Sequence, residues 1–286
     1  MQAKVELNRI RDTGKVIDDS IQFIKQNRRE LVRSYFTICG IFWLTGLIVS
    51  TYQQLNYFDR LGQGMSMFGW LYFVTIILQL LGQVLMFVFT YSFMAVYKDK
   101  GNVAPSVVEV WGYTKYYFLR AAGSSLLLAI MIMIGFVLCF VPGIYLTGVF
   151  SLVFPIMIFE NGGFGYSFNR AFKLIKERWW STFGVIFLST LLMYVALILV
   201  GIPATIISYI YIFVSGAASY KAYMITYSIA THLAQILYLL PCIAIGIMYF
   251  NLTEQKEDTH ILQRIANLGK DDESDSPAEP LHKEEY

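Results

Sequence analysis

Residues 159–180 read FENGGFGYSFNRAFKLIKERWW. The stretch follows one long apolar run and leads straight into another. Phe164, Phe168, Phe172 and Ile175 recur every three or four residues, with Arg170, Lys173 and Lys176 towards the other side. That spacing predicts an amphipathic helix lying at the level of lipid headgroups. Trp179 and Trp180 suit the same boundary, because amphipathic rings sit well where hydrocarbon meets water. Asn161, Gly162 and Gly163 allow a sharp turn out of the preceding run. Glu160 closes that run and is expected to pair with Arg170 or Lys173, pinning the surface helix to the end of a span. The functional alternative for Arg170, Lys173 and Lys176 is a site for an anionic lipid headgroup or phosphate.

Working outward, the composition fits a chain that lives in lipid. Of 286 residues, 56% are hydrophobic and 15% charged, with a mean hydropathy of +0.53; soluble domains carry about 25% charge. The net charge of +2 is too small to suggest a nucleic-acid partner. Apolar windows at 34–52, 69–97, 121–140, 143–159, 180–201 and 223–250 predict six transmembrane helices, since about 20 residues cross a bilayer. Pro142-Gly143 is expected to break the chain between the third and fourth spans, and Pro241 to kink the sixth. Residues 203–214 (PATIISYIYIFV) are apolar but short: an interfacial or re-entrant piece, or a lengthening of the fifth helix.

The polar ends complete the division. Residues 1–33 form an N-terminal segment without an apolar signal core, so the first span is expected to act as an uncleaved signal. Residues 34–250 form the transmembrane domain. Within 251–270, Ile261, Leu262, Ile265 and Leu268 share one face of a short amphipathic helix. Residues 271–286 hold seven acids and one lysine and are predicted to be disordered.

Of the 22 Lys and Arg residues, only Arg60 and Lys221 lie outside the N-terminal segment, the loops 98–120 and 160–179, and the C-terminal tail. The positive-inside rule puts those four regions, and both termini, in the cytoplasm. Three amphipathic segments precede the three pairs of spans, beginning at Ser20, Ser106 and Ser167. Each has a basic residue nine positions on, namely Arg29, Lys115 and Lys176. Serine is a good helix N-cap, so the expected architecture is all-α: three membrane hairpins, each preceded by a cytoplasmic interfacial helix.

Little here points to catalysis. Cys39, Cys139 and Cys242 sit in apolar runs without ligand spacing and read as buried small hydrophobes. His232, His260 and His282 form no cluster with acids or cysteines. No metal site, triad or phosphate-binding loop can be assembled, so no catalytic residue, metal or cofactor is expected. Asn251-Leu-Thr253 is a formal glycosylation sequon without meaning on a cytoplasmic segment. Uncharged polar residues inside the spans are the remaining candidates. Gln79 and Gln83 lie one turn apart in the second span, and His232 and Gln235 three residues apart in the sixth, each pair on one helix face. If the two faces meet, they form either interhelical hydrogen bonds, worth about 0.6–2 kcal/mol each, or a polar path.

The run from Pro142 through Glu160, Gly162, Ser167, Arg170, Lys173, Lys176 and Trp180 resembles bacterial membrane proteins grouped with the membrane domain of glycerophosphodiester phosphodiesterases. The tail YFNLTEQKEDTHILQRIANLG is similar to the ends of such proteins in Bacteroidota-like bacteria. The resemblance covers roughly residues 100–270. It implies a stand-alone inner-membrane protein, not phosphodiesterase activity, which would need a separate soluble barrel. The reading from sequence is a non-enzymatic accessory protein that engages membrane lipids or protein partners through its basic face. The alternative is a transporter of a small solute or lipid along the polar faces. A cavity between spans two and six lined by Gln79, Gln83, His232 and Gln235 favours transport; a dry, tight contact favours the accessory role.

Overall fold

A computed structural model describes residues 4–62, 70–215 and 220–274. Nine α-helices account for most of them: α1 (Thr13–Gly62), α2 (Trp70–Asp99), α3 (Val107–Leu138), α4 (Phe140–Phe150), α5 (Val153–Phe159), α6 (Phe164–Ile175), α7 (Trp179–Ser215), α8 (Tyr220–Ala234) and α9 (Leu239–Ser274). No strand occurs among the described residues. Six helical stretches are long and apolar enough to cross a membrane, with α4 and α5 together forming the fourth and α8 and α9 the sixth. The chain is an all-α, multi-pass membrane protein by helix length and composition.

The amphipathic segments differ from expectation. The segments beginning at Ser20 and Ser106 are not separate surface helices. They run unbroken into the first and third spans as parts of α1, 50 residues long, and α3, 32 residues long. A change from polar to apolar side chains does not end a helix, because its backbone bonds are satisfied internally in water and lipid alike. Only the third segment stands apart, as α6. Ser106 does cap α3: its N–H and its hydroxyl each reach the Glu109 carboxylate at 2.7 Å. Ser20 instead lies mid-helix and donates to the Val16 carbonyl at 2.6 Å. Ser167 lies inside α6, where Gly163 is the N-cap.

Proline explains the breaks. Its ring removes one donor and collides with the carbonyl four residues back. For Pro142 that residue is Leu138, where α3 ends, so Cys139 is the whole turn between α3 and α4. Cys139 is therefore exposed, unlike the buried Cys39 and Cys242, which corrects the expectation for it. For Pro155 the residue is Ser151, in the gap between α4 and α5. For Pro241 it is Leu237, inside a 3-10 turn over Gln235–Tyr238 that interrupts the sixth span. Pro203 is accommodated within α7, so 203–214 is a lengthening of the fifth helix. Pairing of α3 with α4 is close: a Cβ on Gly143 would lie 2.5 Å from the Phe136 ring.

Consecutive spans pack on one another, but α2 also packs extensively on α3, so the hairpins are not separable units. The basic loops gather at one end of the bundle, where the core is dense. There α2 is buried from Val88 to Tyr97, α5 from Val153 to Ile158, and α9 from Ile247 to Leu252. An aromatic column runs through this end: Phe23 meets Tyr97 at 4.9 Å and Phe93 at 6.2 Å, and Phe89 meets Tyr35 at 5.8 Å. Residues 4–12 cross it as a strap. Val5 and Leu7 are buried, and the Tyr97 hydroxyl donates to the Val5 carbonyl at 3.1 Å. Asn251 pins the strap to α9, accepting from the Arg11 N–H at 2.8 Å and donating to its carbonyl at 3.0 Å. The expected helix at 258–268 is the continuation of α9, which is described to Ser274; residues 275–286 of the acidic tail, and residues 63–69, lie outside the described residues.

Candidate functional site

The four polar residues singled out inside the spans meet in one place. A cavity of about 250 Å³ is lined by Gln79, Gln83, His232 and Gln235, together with Tyr35, Cys39, Trp43 and Tyr238. A second, of about 510 Å³, adjoins it and shares Gln79, His232, Gln235 and Tyr238; it adds Ser50, Gln54, Tyr194, Tyr227 and Thr231. Residues from α1, α2, α7, α8 and the 3-10 turn build these walls. The broken sixth span matters directly, because the 3-10 turn carries both Gln235 and Tyr238 into the shared wall. Both cavities lie away from the strap, and the aromatic column closes the space beyond Tyr35.

Hydrogen bonding separates the two readings of these residues. His232 is 6% exposed and held on several sides. Its Nδ1 lies 2.9 Å from the Ser228 carbonyl, which can only accept, so Nδ1 donates there. The Ser50 hydroxyl lies 3.1 Å from the Leu47 carbonyl and 3.4 Å from Nε2. Trp43 Nε1 donates to the His232 carbonyl at 2.8 Å, and Thr51 donates to Ser228 at 2.8 Å. Among the described residues, the side-chain amides of Gln79, Gln83 and Gln235 make no hydrogen bond, although they are not sealed from the cavity. The Gln54 amide oxygen is buried without a partner beside the second cavity. The glutamines therefore do not act as interhelical bonds; they present unspent donors and acceptors to a space. No Asp, Glu, Lys or Arg lines either cavity.

The seam at 159–180 is a separate arrangement, and it is occupied by the protein itself. Arg170 Nε lies 3.4 Å from Glu160 Oε1, the Tyr249 hydroxyl donates to the same oxygen at 2.9 Å, and Tyr166 donates to Oε2. Holding that proton against the carboxylate raises the Tyr166 phenol above its ordinary value, helped by burial and by the carboxylate's charge. Asn161, not the glycines, takes the left-handed turn, at φ 49°, and its side chain accepts from Tyr117 at 3.0 Å. Gly162 is needed for space, since a Cβ there would lie 2.5 Å from the Tyr166 ring. The stripe that α6 buries is Ser167, Ala171, Leu174 and Ile175, against α4, α5 and α9; the phenylalanines flank it. Trp179 turns inward, donating to the Tyr145 carbonyl at 3.3 Å, while Trp180 is 78% exposed. Of the three basic residues proposed for an anion, Arg170 is engaged by Glu160, and Lys173 and Lys176 are exposed.

Sequence reasoning missed Ser50, Gln54, Trp43 and the tyrosines of the cavity. Ser50 and Gln54 sit near the end of the first span, where polar residues read as boundary markers, and Trp43 lies mid-span, where it reads as one more apolar side chain. No His, Cys, Asp and Glu grouping able to hold a metal occurs among the described residues. No family model, curated protein or solved structure matches this chain.

Proposed function

We propose that this protein is a non-enzymatic carrier of the bacterial cytoplasmic membrane that admits a small solute, or the polar part of a lipid, to the cavity at Gln79, His232 and Gln235. The observation that carries the reading is the set of glutamine amides without protein partners in the middle of apolar spans. An amide moved from water to an apolar medium without a bond costs roughly 2–7 kcal/mol. Such groups are tolerable where water or a ligand meets them, and polar cavities of this size hold water. A span interrupted at the binding level is a recurring device of carriers, because it frees backbone and redirects side chains. With the basic loops and both termini cytoplasmic, the cavities open in the outer half and the strap and aromatic column close the inner half.

Osmotic flux tests this. Liposomes containing the purified chain are expected to re-swell faster than empty ones after hyperosmotic shock with at least one of glycerol, glucose, glycine or phosphate. The Gln79→Leu, Gln235→Leu pair should cut that rate at least tenfold. Monodisperse protein that accelerates none of the four contradicts the carrier.

A second reading rests on Lys173 and Lys176. Both are exposed on α6, next to an Arg170 already paired, and they suit contact with anionic lipid or an acidic protein partner at the cytoplasmic face.

A further inference from the structure

We infer that the occupant of the cavity is an uncharged, polyhydroxylated group, either a free polyol or sugar or the glycosyl headgroup of a neutral lipid. The inference rests on the reading of the cavity as a binding site and names what binds there. Charge decides the first half. Neither cavity has an ionisable side chain other than His232, cysteine and tyrosine in its wall, so an anion or cation would be stripped of water with no counter-charge.

The donor and acceptor pattern decides the second half. Gln79, Gln83 and Gln235 each offer two donors and an acceptor without a protein claim on them. The Ser50 hydroxyl, 3.1 Å from the Leu47 carbonyl and 3.4 Å from His232 Nε2, adds a polar group beside these amides. A hydroxyl group both gives and takes a hydrogen bond, so several hydroxyls on one small frame satisfy such a wall; a hydrocarbon or a pure acceptor does not. Trp43 is fixed by its bond to the His232 carbonyl, and it and Tyr238 supply rigid rings for the C–H faces of such a frame. The larger cavity, about 510 Å³, falls in the size range of small-molecule sites, about 300–1,000 Å³, and the adjoining one, about 250 Å³, extends it.

Both sources of this chemistry have a route. The second cavity has Tyr194, Ile198 and Val200 of α7 on one wall and Gln79 of α2 on another. α2 and α7 do not pack extensively on each other, whereas each packs on its other neighbours around the site. A headgroup that enters between α2 and α7 keeps its acyl chains outside the bundle.

Thermal melting of the full chain separates the possibilities. In detergent, glucose and glycerol are the soluble probes and glucose 6-phosphate is the charged counterpart. In nanodiscs, monoglucosyl diacylglycerol is the lipid probe and phosphatidylglycerol its charged counterpart. A neutral probe in one arm is expected to raise the melting temperature by about 5 °C near saturation, and which arm responds identifies the source. The charged counterpart should need at least tenfold more ligand for the same shift. Because their amides have no protein partner, Gln79→Leu with Gln235→Leu should leave the unliganded melting temperature within about 2 °C and weaken the neutral ligand at least tenfold. A charged counterpart that binds as well as its neutral partner, silence from both neutral probes, or unchanged binding by the double variant overturns the inference. Selective neutral binding without solute flux would keep it and remove the carrier; Gln79-dependent flux of phosphate alone would do the reverse.

Discussion

Arg11→Ala is expected to cost about 3–5 kcal/mol of stability, the range for breaking a buried charge pair from one side. The Arg11 side chain is 1% exposed, and its Nε lies 2.6 Å from Asp19. Its Nη1 donates to the Leu7 carbonyl at 2.9 Å and the Arg9 carbonyl at 2.8 Å, and Nη2 to the Glu6 carbonyl. Alanine strands the Arg9 and Glu6 carbonyls, leaves the Leu7 carbonyl only the Arg9 N–H, and leaves Asp19 with only the half-exposed Lys15, 3.3 Å away. Lysine in place of Arg11 keeps a charge for Asp19 but cannot span the carbonyls, since it lacks the planar fork, so its melting temperature should fall between the two. Asn251→Leu removes both bonds that tie the strap to α9 and should cost about 1–3 kcal/mol. Thermal melts in detergent check all three; an Arg11→Ala protein within about 1 kcal/mol of the parent would contradict the strap's role.

Glu160→Ala is the second large effect, about 2–4 kcal/mol. One carboxylate, 17% exposed, holds α6 through Arg170 and Tyr166 and α9 through Tyr249. Its loss leaves the Tyr249 hydroxyl and the Arg170 guanidinium partly buried without an acceptor. Glutamine keeps one neutral acceptor and should lose about half as much. The Tyr166 contribution has a defined pH window. A phenol raised in the folded state stabilises it below the unfolded value of about 10 and ceases to do so as pH rises through the folded value. In Glu160→Ala the Tyr166 phenol should return towards its ordinary value, measurable by ultraviolet titration. A melting temperature unchanged by Glu160→Ala would contradict the seam.

Hydropathy made the six spans legible, because a bilayer demands a minimum apolar length and nothing else in this chain competes with that signal. The Glu160–Arg170 pair was legible too, being ten residues apart across one turn. The strap was not. Val5 and Leu7 are two apolar residues in a charged segment with no periodicity, and Arg11 reads as one more cytoplasmic charge until Asp19 and Asn251 are brought to it. Helix breaks were displaced from their prolines, since proline disrupts the carbonyl four residues back rather than its own position. Residue types marked Gln79, Gln83, His232 and Gln235, but sequence could not tell a bonded contact from an open one. That depended on how α1, α2, α7 and α8 are spaced around the cavities.

Thiol labelling of spheroplasts with a small membrane-impermeant reagent tests the central claim, a six-span bundle whose polar cavity opens away from its basic end. Native Cys139, exposed at the α3–α4 turn, should label from outside, and the buried Cys39 and Cys242 should not. In a Cys139→Ser background, Gln79→Cys should label from outside and Lys176→Cys only after the membrane is opened. Labelling of Lys176→Cys on sealed spheroplasts, or protection of Gln79→Cys on both sides, would contradict the account.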